Sequence, residues 1–405
     1  MDIDEIYVVI AIFMLMGIVQ KPTIRSYFTR NATIITPIFS SVISLDRFEL
    51  ICRFLHFVNN EKRNEYTGPK KLFKIHPILP LLKERFQRFY LPERNISIDE
   101  SLVLWKGRLS FKQYIPLKAA KFGIKTFELC EASTGYLWSF LTYTGKDTSE
   151  NSRKTTSGHS KTSEIVLELI KPLLRKGHTL WMDNYYNCPS LAMYLKSQKT
   201  DCVGTLRLNR KDVPKILKEK KLKKGEKIAQ CCGPVSVMKW LDKKPVTMIS
   251  TYHDDSMILV TKSERQVERP QSVIDYNKSM GGVDLKEQYL QAYLIERKKT
   301  KKWYMKMFKR LLNITILNSL IIWKKNNPAM KVDTLKFRVE LVEQLLVAHA
   351  NAKCTRKSTD NNNVERLTGR HFIERIPPSG SKAKQQKRCV VCHKHGRRRQ
   401  PIYWS

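Results

Sequence analysis

The sequence lacks an apolar run long enough to cross a membrane. The one candidate, IYVVIAIFMLMGIV from Ile6 to Val19, is shorter than the roughly 20 residues that a membrane-spanning helix needs. The segment MDIDE before it is acidic, whereas a secretory signal begins with positive charge. We therefore predict a buried helix here, no membrane partner, and a protein of the cytosol or nucleus.

Acidic residues are scarce relative to basic ones. Lys and Arg number 74 against 37 Asp and Glu, which gives a formal net charge of +37. Such a balance is typical of proteins with a polyanionic partner, most often nucleic acid and less often an anionic membrane surface. A soluble basic protein without such a partner is the alternative. The hydrophobic content of 42% excludes global disorder.

Cysteine pairs with the spacing of metal ligands are nearly absent. The nine cysteines are scattered, and without a secretory signal we expect reduced thiols. Cys389 and Cys392 form a CxxC, with His393 or His395 as candidates for a further ligand. A structural zinc site needs four ligands, so a metal-free tail is favoured and zinc binding is the alternative.

The periodicity of apolar residues predicts helical segments on both sides of an α/β region. For example, SLDRFELICRFLHFVNN has apolar residues at helical spacing after Ser44, a helix-starting residue type. The polar stretch KCTRKSTDNNNVERL, from Lys353, predicts a linker. The predicted divisions are a helical region at 1–92, the first part of an α/β core at 93–210, a β-rich insertion at 211–270, the helical last part of the core at 271–328, a helix and flexible linker at 329–387, and the cysteine-containing tail at 388–405.

Short patterns within the core predict its strands. NISIDESLVLW indicates a strand from about Ile96, and FGIKTFELCEASTGYLWSFLTYTG indicates two strands joined at the turn ASTG. HTLWMDN reads as a short strand that ends on Asp183, followed by a turn and a helix. A carboxylate at the end of a central strand is costly unless its charge is used.

Three acidic residues occupy similar settings. Asp99 lies inside the first strand, Asp183 ends a later one, and Asp284 follows paired glycines at the start of a helix in SMGGVDLKEQYL. Each has an ordinary alternative, as an outward-facing strand residue, a helix N-cap and a helix-dipole partner respectively. Together, the element order would bring them to one edge of a mixed sheet. Shared carboxylates of this kind hold the two divalent cations used in phosphodiester cleavage, and Mg²⁺ prefers such oxygen ligands.

Several long blocks of the sequence resemble the piggyBac family of DNA transposases and their domesticated relatives. The blocks are NISIDESLVLWKGRLSFKQYIPLKAAKFGIK, WMDNYYNCPSLAMYLKSQKTDCVGTLRLNRKDVP and VIDYNKSMGGVDLKEQYLQAYLIERKKTKKW. Upstream, GIVQKPTIRSYFTRN and PIFSSVISLDRFELICRFLHFVNN resemble the helical region before the family's core. The resemblance extends over residues 5–325, with a remnant at 388–405.

The resemblance implies a fold, an activity and a set of partners. The fold would be α/β, an RNase H-like catalytic core with a β-rich insertion, preceded by an α-helical dimerisation and DNA-binding domain. The activity would be cut-and-paste transposition in the nucleus by a homodimer, with joining to a TTAA target. Asp99, Asp183 and Asp284 fall on the family's catalytic aspartates, which would bind Mg²⁺, with Mn²⁺ able to substitute.

One position departs from the family pattern. The family usually has a further Asp three residues after the third catalytic one, and this chain has Glu287 there. Glu287 lies one helical turn from Asp284 on the same face, so it could still coordinate the metal with altered geometry. An exposed helix glutamate is the alternative.

Basic residues near these motifs are predicted to contact DNA phosphates, because affinity for the DNA backbone increases with the number of phosphates neutralised. The alternative is a solvated surface. Trp303, in contrast, is predicted to anchor the core rather than stack on DNA. The predicted contacts are Lys106, Arg108, Lys118, Lys121, Lys220, Lys221, Lys223, Lys224, Lys301 and Lys302.

Three functional hypotheses remain at this stage. The first is an enzyme that retains metal-dependent strand cleavage, which the three aspartates favour. The second is a DNA-binding protein without catalysis, and the third is a truncated product without function. Family members end in a cysteine-rich zinc-binding module, so without its full ligand set the recognition of transposon ends should weaken.

Overall fold

The computed structural model describes most of the chain. The described residues are 2–116, 118, 120–145, 148, 160–262, 265–297, 300–359, 374–375 and 403–404. Contacts divide the chain into two units, Met1–Leu346 and Val347–Ser405. In the second unit, the described residues are the end of a helix and an antiparallel pair of two-residue strands. Cys389, Cys392, His393 and His395 lie outside the described residues.

The first unit begins with helices, as predicted. Asp2 caps the first one by accepting a hydrogen bond from the Glu5 amide at 2.7 Å. The Glu5 carboxylate in turn pairs with Arg47 at 2.6 Å, which joins the first and third helices. None of the helices described is long and apolar enough to span a membrane. The helices are α1 (Ile3–Ile18), α2 (Pro37–Val42), α3 (Leu45–Phe54) and α4 (Ile78–Phe89).

A nine-stranded mixed sheet follows, with its parallel centre at β1, β5 and β6. The antiparallel strands β3 and β4, joined at the predicted turn, lie on one side of β1. The strands of the sheet are β1 (Asn95–Leu104), β2 (Gln113–Tyr114), β3 (Phe122–Glu131), β4 (Leu137–Thr142), β5 (Thr179–Met182), β6 (Asp201–Thr205), β7 (Lys227–Cys232), β8 (Val235–Leu241) and β9 (Pro245–Ser250).

The segment 211–270 is β-rich, as predicted, but it is not a separate layer. Strand β9 pairs with β6, so β9, β8 and β7 extend the central sheet. Strands β10 (Met257–Lys262) and β11 (Arg265–Pro270) form a two-stranded sheet of their own. The division of the chain into domains stays a prediction.

Further helices are α5 (Lys161–Ile170), α6 (Pro189–Ser197), α7 (Lys215–Glu219), α8 (Gln271–Ser279), α9 (Gly282–Gln291), α10 (Trp303–Asn326) and α11 (Thr334–Thr359). Helices α5 to α10 contact the strands, and α11 follows them in the chain. Helix α11 continues past Lys353, so the prediction of a linker from that residue was wrong up to Thr359. Ala, Lys and Arg there have good helix propensity, which low hydrophobicity does not cancel.

Helix α10 is joined to the sheet by a buried asparagine. Asn318 accepts a hydrogen bond from the Leu137 amide at 3.0 Å and donates one to the Leu137 carbonyl at 2.9 Å. Both residues are buried. At the start of α10, Trp303 packs edge-on against Phe111 with ring centroids 5.3 Å apart, which agrees with its predicted role in the core.

We expect Asn318→Ala to lower the free energy of unfolding by about 2–4 kcal/mol, because it leaves two buried backbone groups of Leu137 without partners. Asn326→Ala, an exposed position in the last turn of α10, is the matched control and should change stability by less than about 0.5 kcal/mol. Denaturant unfolding of both variants measures the difference. Equal effects would contradict the role given to Asn318.

Candidate active site

Two of the predicted aspartates occupy corresponding positions at parallel strands, one within β1 and the other directly after β5. In the pairing of β1 with β5, Ile98 is opposite Met182, and the next residues along the two strands are Asp99 and Asp183. Asp99 accepts a hydrogen bond from the Glu100 amide, and Asp183 accepts one from the Tyr185 amide, both at 2.8 Å. The parallel register therefore brings together two residues that are far apart in the sequence.

Charged side chains of both signs surround this pair, with Glu100 opposed by Lys118, Lys125 and Arg207. The Asp99 side chain is 18% exposed, and burial raises its pKa to about 7, although Lys118, at 3.8 Å, acts to lower it. Burial also raises the pKa of Asp183. Glu100 raises the pKa of both aspartates and was missed by the sequence predictions, although the doublet Asp99–Glu100 inside a strand was a signal. Oxygen ligands in such a field favour a divalent cation.

Asp284 reaches the same region from helix α9. The helix begins at Gly282, where a Cβ would lie 2.5 Å from Ser97 Oγ and 2.8 Å from the Glu131 carbonyl oxygen. Glycine there lets the helix approach β1 closely. Asp284 is exposed and lines a cleft of about 560 Å³ together with Glu100, among other residues.

The three aspartates do not form a closed cluster. Among the residues that the structure describes, no three His, Cys, Asp or Glu side chains lie close enough to hold a metal ion. The structure thus places Asp99 on β1, Asp183 directly after the neighbouring strand β5, and Asp284 on the wall of the adjoining cleft. Their joint role as metal ligands stays a prediction.

Glu287 has three protein partners. Its carboxylate accepts a hydrogen bond from Ser101 Oγ at 2.7 Å and forms ion pairs with Lys286, at 2.8 Å, and with Arg310. Burial acts to raise the pKa of Glu287, but Lys286 and Arg310 hold it well below the usual range. The side chain is 35% exposed, so it still borders the cleft. Its contacts indicate that Glu287 orients α9, and metal binding by it stays a prediction.

A buried network of charges continues behind Glu287. Lys286 is fully buried and pairs with Glu128 of β3, which is 3% exposed. Burial acts to lower the pKa of Lys286, but Glu128 and Glu287 raise it overall, so the ammonium stays charged. Arg310 of α10 bridges Glu287 and Glu296. The network fixes α9 against both β3 and α10, and nothing in the local sequence pattern predicted it.

The predicted DNA contacts lie in different settings. Most of them are exposed, while Lys118 is the residue that pairs with Asp99. Lys302 instead donates hydrogen bonds to main-chain oxygens at the end of α3, at 3.4 Å for Cys52 and 3.2 Å for Leu55, so it caps that helix. The exposed ones are Lys106, Arg108, Lys121, Lys220, Lys221, Lys223, Lys224 and Lys301.

Comparison with known proteins defines the class. A family model described as Transposase IS4 matches residues 1–320, and the chain belongs to this family. Its relatives are of the piggyBac type. This chain is 26% identical to human piggyBac transposable element-derived protein 3 over 95% of its length, and 24% identical to human piggyBac transposable element-derived protein 2 over 96% of its length. The alignments cover 65% and 66% of those relatives.

A solved structure agrees with this assignment. The cryo-EM structure of a piggyBac transposase synaptic complex with hairpin DNA matches with a TM-score of 0.78 and 26% identity, over 90% of this chain and 74% of that chain. The predicted α/β fold, with an RNase H-like core and a helical region before it, is confirmed. The predicted resemblance to the piggyBac family is confirmed as well.

We expect Lys286→Met to lower the free energy of unfolding by about 3–5 kcal/mol, because Glu128 loses its cation while remaining buried. Lys286→Met combined with Glu128→Met should recover most of the loss, since the pair is then replaced by apolar side chains. Lys278→Met, exposed on α8, is the control. Denaturant unfolding measures all three, and no recovery in the double variant would contradict this account.

The raised pKa of Asp99 predicts a pH dependence of stability. The pKa is about 7 in the folded protein, above the value of about 3.9 in an unfolded chain, so the unfolding free energy decreases as pH rises through this window. Asp99→Asn removes this titration. In metal-free buffer we expect the variant to match the wild type near pH 4 and to be more stable by about 2–4 kcal/mol above pH 7. A constant difference across the window would contradict the assignment.

Proposed function

We propose that this chain is a DNA transposase that cleaves and transfers DNA strands with divalent metal ions. The observation that carries the proposal is the position of Asp99 on β1 and of Asp183 directly after its parallel neighbour β5, in a fold of the piggyBac type. Asp284 would supply the third carboxylate from the adjoining cleft. The chain spans about two thirds of the length of the curated relatives that it matches. The proposed activity is therefore assigned to this part of the family's sequence.

The donor set of the site suits Mg²⁺, with Mn²⁺ able to substitute. Asp99 and Asp183 offer hard oxygen ligands, and burial raises the pKa of both carboxyls, a cost that a bound divalent cation would offset. When bound, such metal ions lower the pKa of a nucleophilic water and stabilise the leaving oxygen in phosphodiester cleavage. The protein's own part is to hold the carboxylates at a fixed spacing and, through the partners of Glu287, to keep α9 in place.

DNA is the proposed partner. The net charge of +37 favours binding to a polyanion, and exposed lysines lie on the segment from Lys220 to Lys224 and beside β1. The similar piggyBac transposase was solved in a complex with hairpin DNA. We extend DNA binding to this chain on these grounds, together with assembly as a homodimer and action in the nucleus.

The substitution Asp183→Asn tests the proposal. We expect it to abolish Mg²⁺- or Mn²⁺-dependent cleavage of a plasmid that carries the DNA flanking the gene, because a neutral amide is a poor ligand for these ions. DNA binding should remain within about threefold, since phosphate contacts come from basic residues elsewhere. The wild type and the variant are compared in cleavage and binding assays at one salt concentration.

Asp46→Asn is the matched control, since Asp46 is exposed in the first turn of α3. It should cleave and bind as the wild type does. If the wild type and Asp183→Asn both bind DNA in a salt-sensitive way and neither cleaves it, the protein is a DNA-binding protein and the enzymatic proposal is overturned. Binding that is indifferent to salt would overturn the DNA partner as well.

A further inference from the structure

Lys125 lies beside the candidate active site, against the turn that follows Asp183. It is on β3, opposite Leu102 of β1 in the antiparallel register. Its ammonium lies 4.6 Å from the centre of the Phe127 ring and 5.0 Å from that of Tyr185, two residues after Asp183 in the chain. The two rings hold the cation between β3 and the turn after β5 by cation–π attraction.

The ammonium of Lys125 has no acceptor among the described residues. It forms neither an ion pair nor a hydrogen bond there, in contrast to Lys118, which pairs with Asp99. Lys125 is half-buried. Burial lowers the pKa of Lys125, while attraction to Glu100, Asp99 and Asp183 acts to raise it, which shows that the cation lies in the field of these carboxylates. A lysine with three donors, held by aromatic rings beside three carboxylates, is suited to an incoming anion.

We propose that Lys125 is a further catalytic residue, whose ammonium contacts the scissile phosphate of bound DNA. This proposal rests on the proposed function. The phosphate must approach Asp99, Asp183 and Glu100, and each of these repels it. Lys118 already faces Asp99, so Lys125 is the cation beside these carboxylates that has no partner to give up among the described residues.

The position of Lys125 suits a role in the reaction as well as in binding. Negative charge on the oxygens of a reacting phosphate is stabilised most by groups that are already in place, because no rearrangement is then needed. The rings of Phe127 and Tyr185 provide that placement. Loss of one such donor typically lowers the rate by about 10²-fold or more.

The first experiment compares Lys125→Met, Lys125→Arg and the control Lys176→Met. Methionine keeps the apolar stem against the two rings, arginine keeps the charge, and Lys176 is exposed before the start of β5, at the end opposite to Asp183. At saturating plasmid we expect cleavage by Lys125→Met to fall about 10²-fold. Lys125→Arg should keep at least a tenth of the wild-type rate, and Lys176→Met should match the wild type.

Thermal unfolding of the same proteins separates chemistry from folding. Wild-type cleavage by Lys125→Met would overturn the proposal. An equal loss in the Met and Arg variants, accompanied by a lower melting temperature in both, would assign Lys125 to folding and overturn it too. A loss in the Met variant alone, at unchanged melting temperature, supports it.

A second experiment does not depend on cleavage. Binding of the uncleaved duplex is measured over a range of salt concentrations in metal-free buffer. Removing one phosphate contact lowers the slope of log affinity against log salt concentration by about 1, so Lys125→Met should show this decrease. Lys176→Met should not. If the wild type fails to cleave, the proposed function fails, but the salt slope still decides whether Lys125 contacts a phosphate. An unchanged slope in Lys125→Met would overturn that contact.

Discussion

The position of helix α9 depends on the buried pair between Lys286 and Glu128. Removing two charges from water is costly, and the cost is offset here because Lys286 also pairs with Glu287, while Thr126 donates to Glu128 at 2.8 Å. Such a pair tolerates little displacement, so it specifies one position of α9 on the sheet. This contact therefore also positions the side chains that α9 presents to the cleft, in particular Asp284.

The carboxylates of Asp99 and Asp183 are less completely paired than the charges behind α9. Behind α9 the buried charges of Lys286, Glu128 and Arg310 are paired, whereas among the described residues the carboxylates at β1 and β5 have one ion pair, between Asp99 and Lys118 at 3.8 Å. Burial without compensation costs free energy in the protein alone. We interpret this cost as the counterpart of metal binding, since a divalent cation would relieve part of it.

Sequence reasoning predicted those parts of the fold that depend on neighbouring residues. The strand carrying Asp99, the hairpin at ASTG and the strand predicted to end on Asp183 each follow from a local pattern, and each is present, the last one ending at Met182. The pairing of β9 with β6 and the partners of Glu287 were not predicted, because they join segments far apart in the chain. Lys302 illustrates the same limit, since a basic run gives no sign that one lysine caps a distant helix.

The insertion has a consequence for solubility. Because β9 pairs with β6, the buried strand β6 is internal, and the free edge of the sheet in this direction is β7, whose last residues are exposed and polar or small. Without the insertion, β6 would present its unpaired backbone and apolar side chains to other molecules, the arrangement from which aggregation starts. The β-rich segment therefore protects the central sheet against association through its edge.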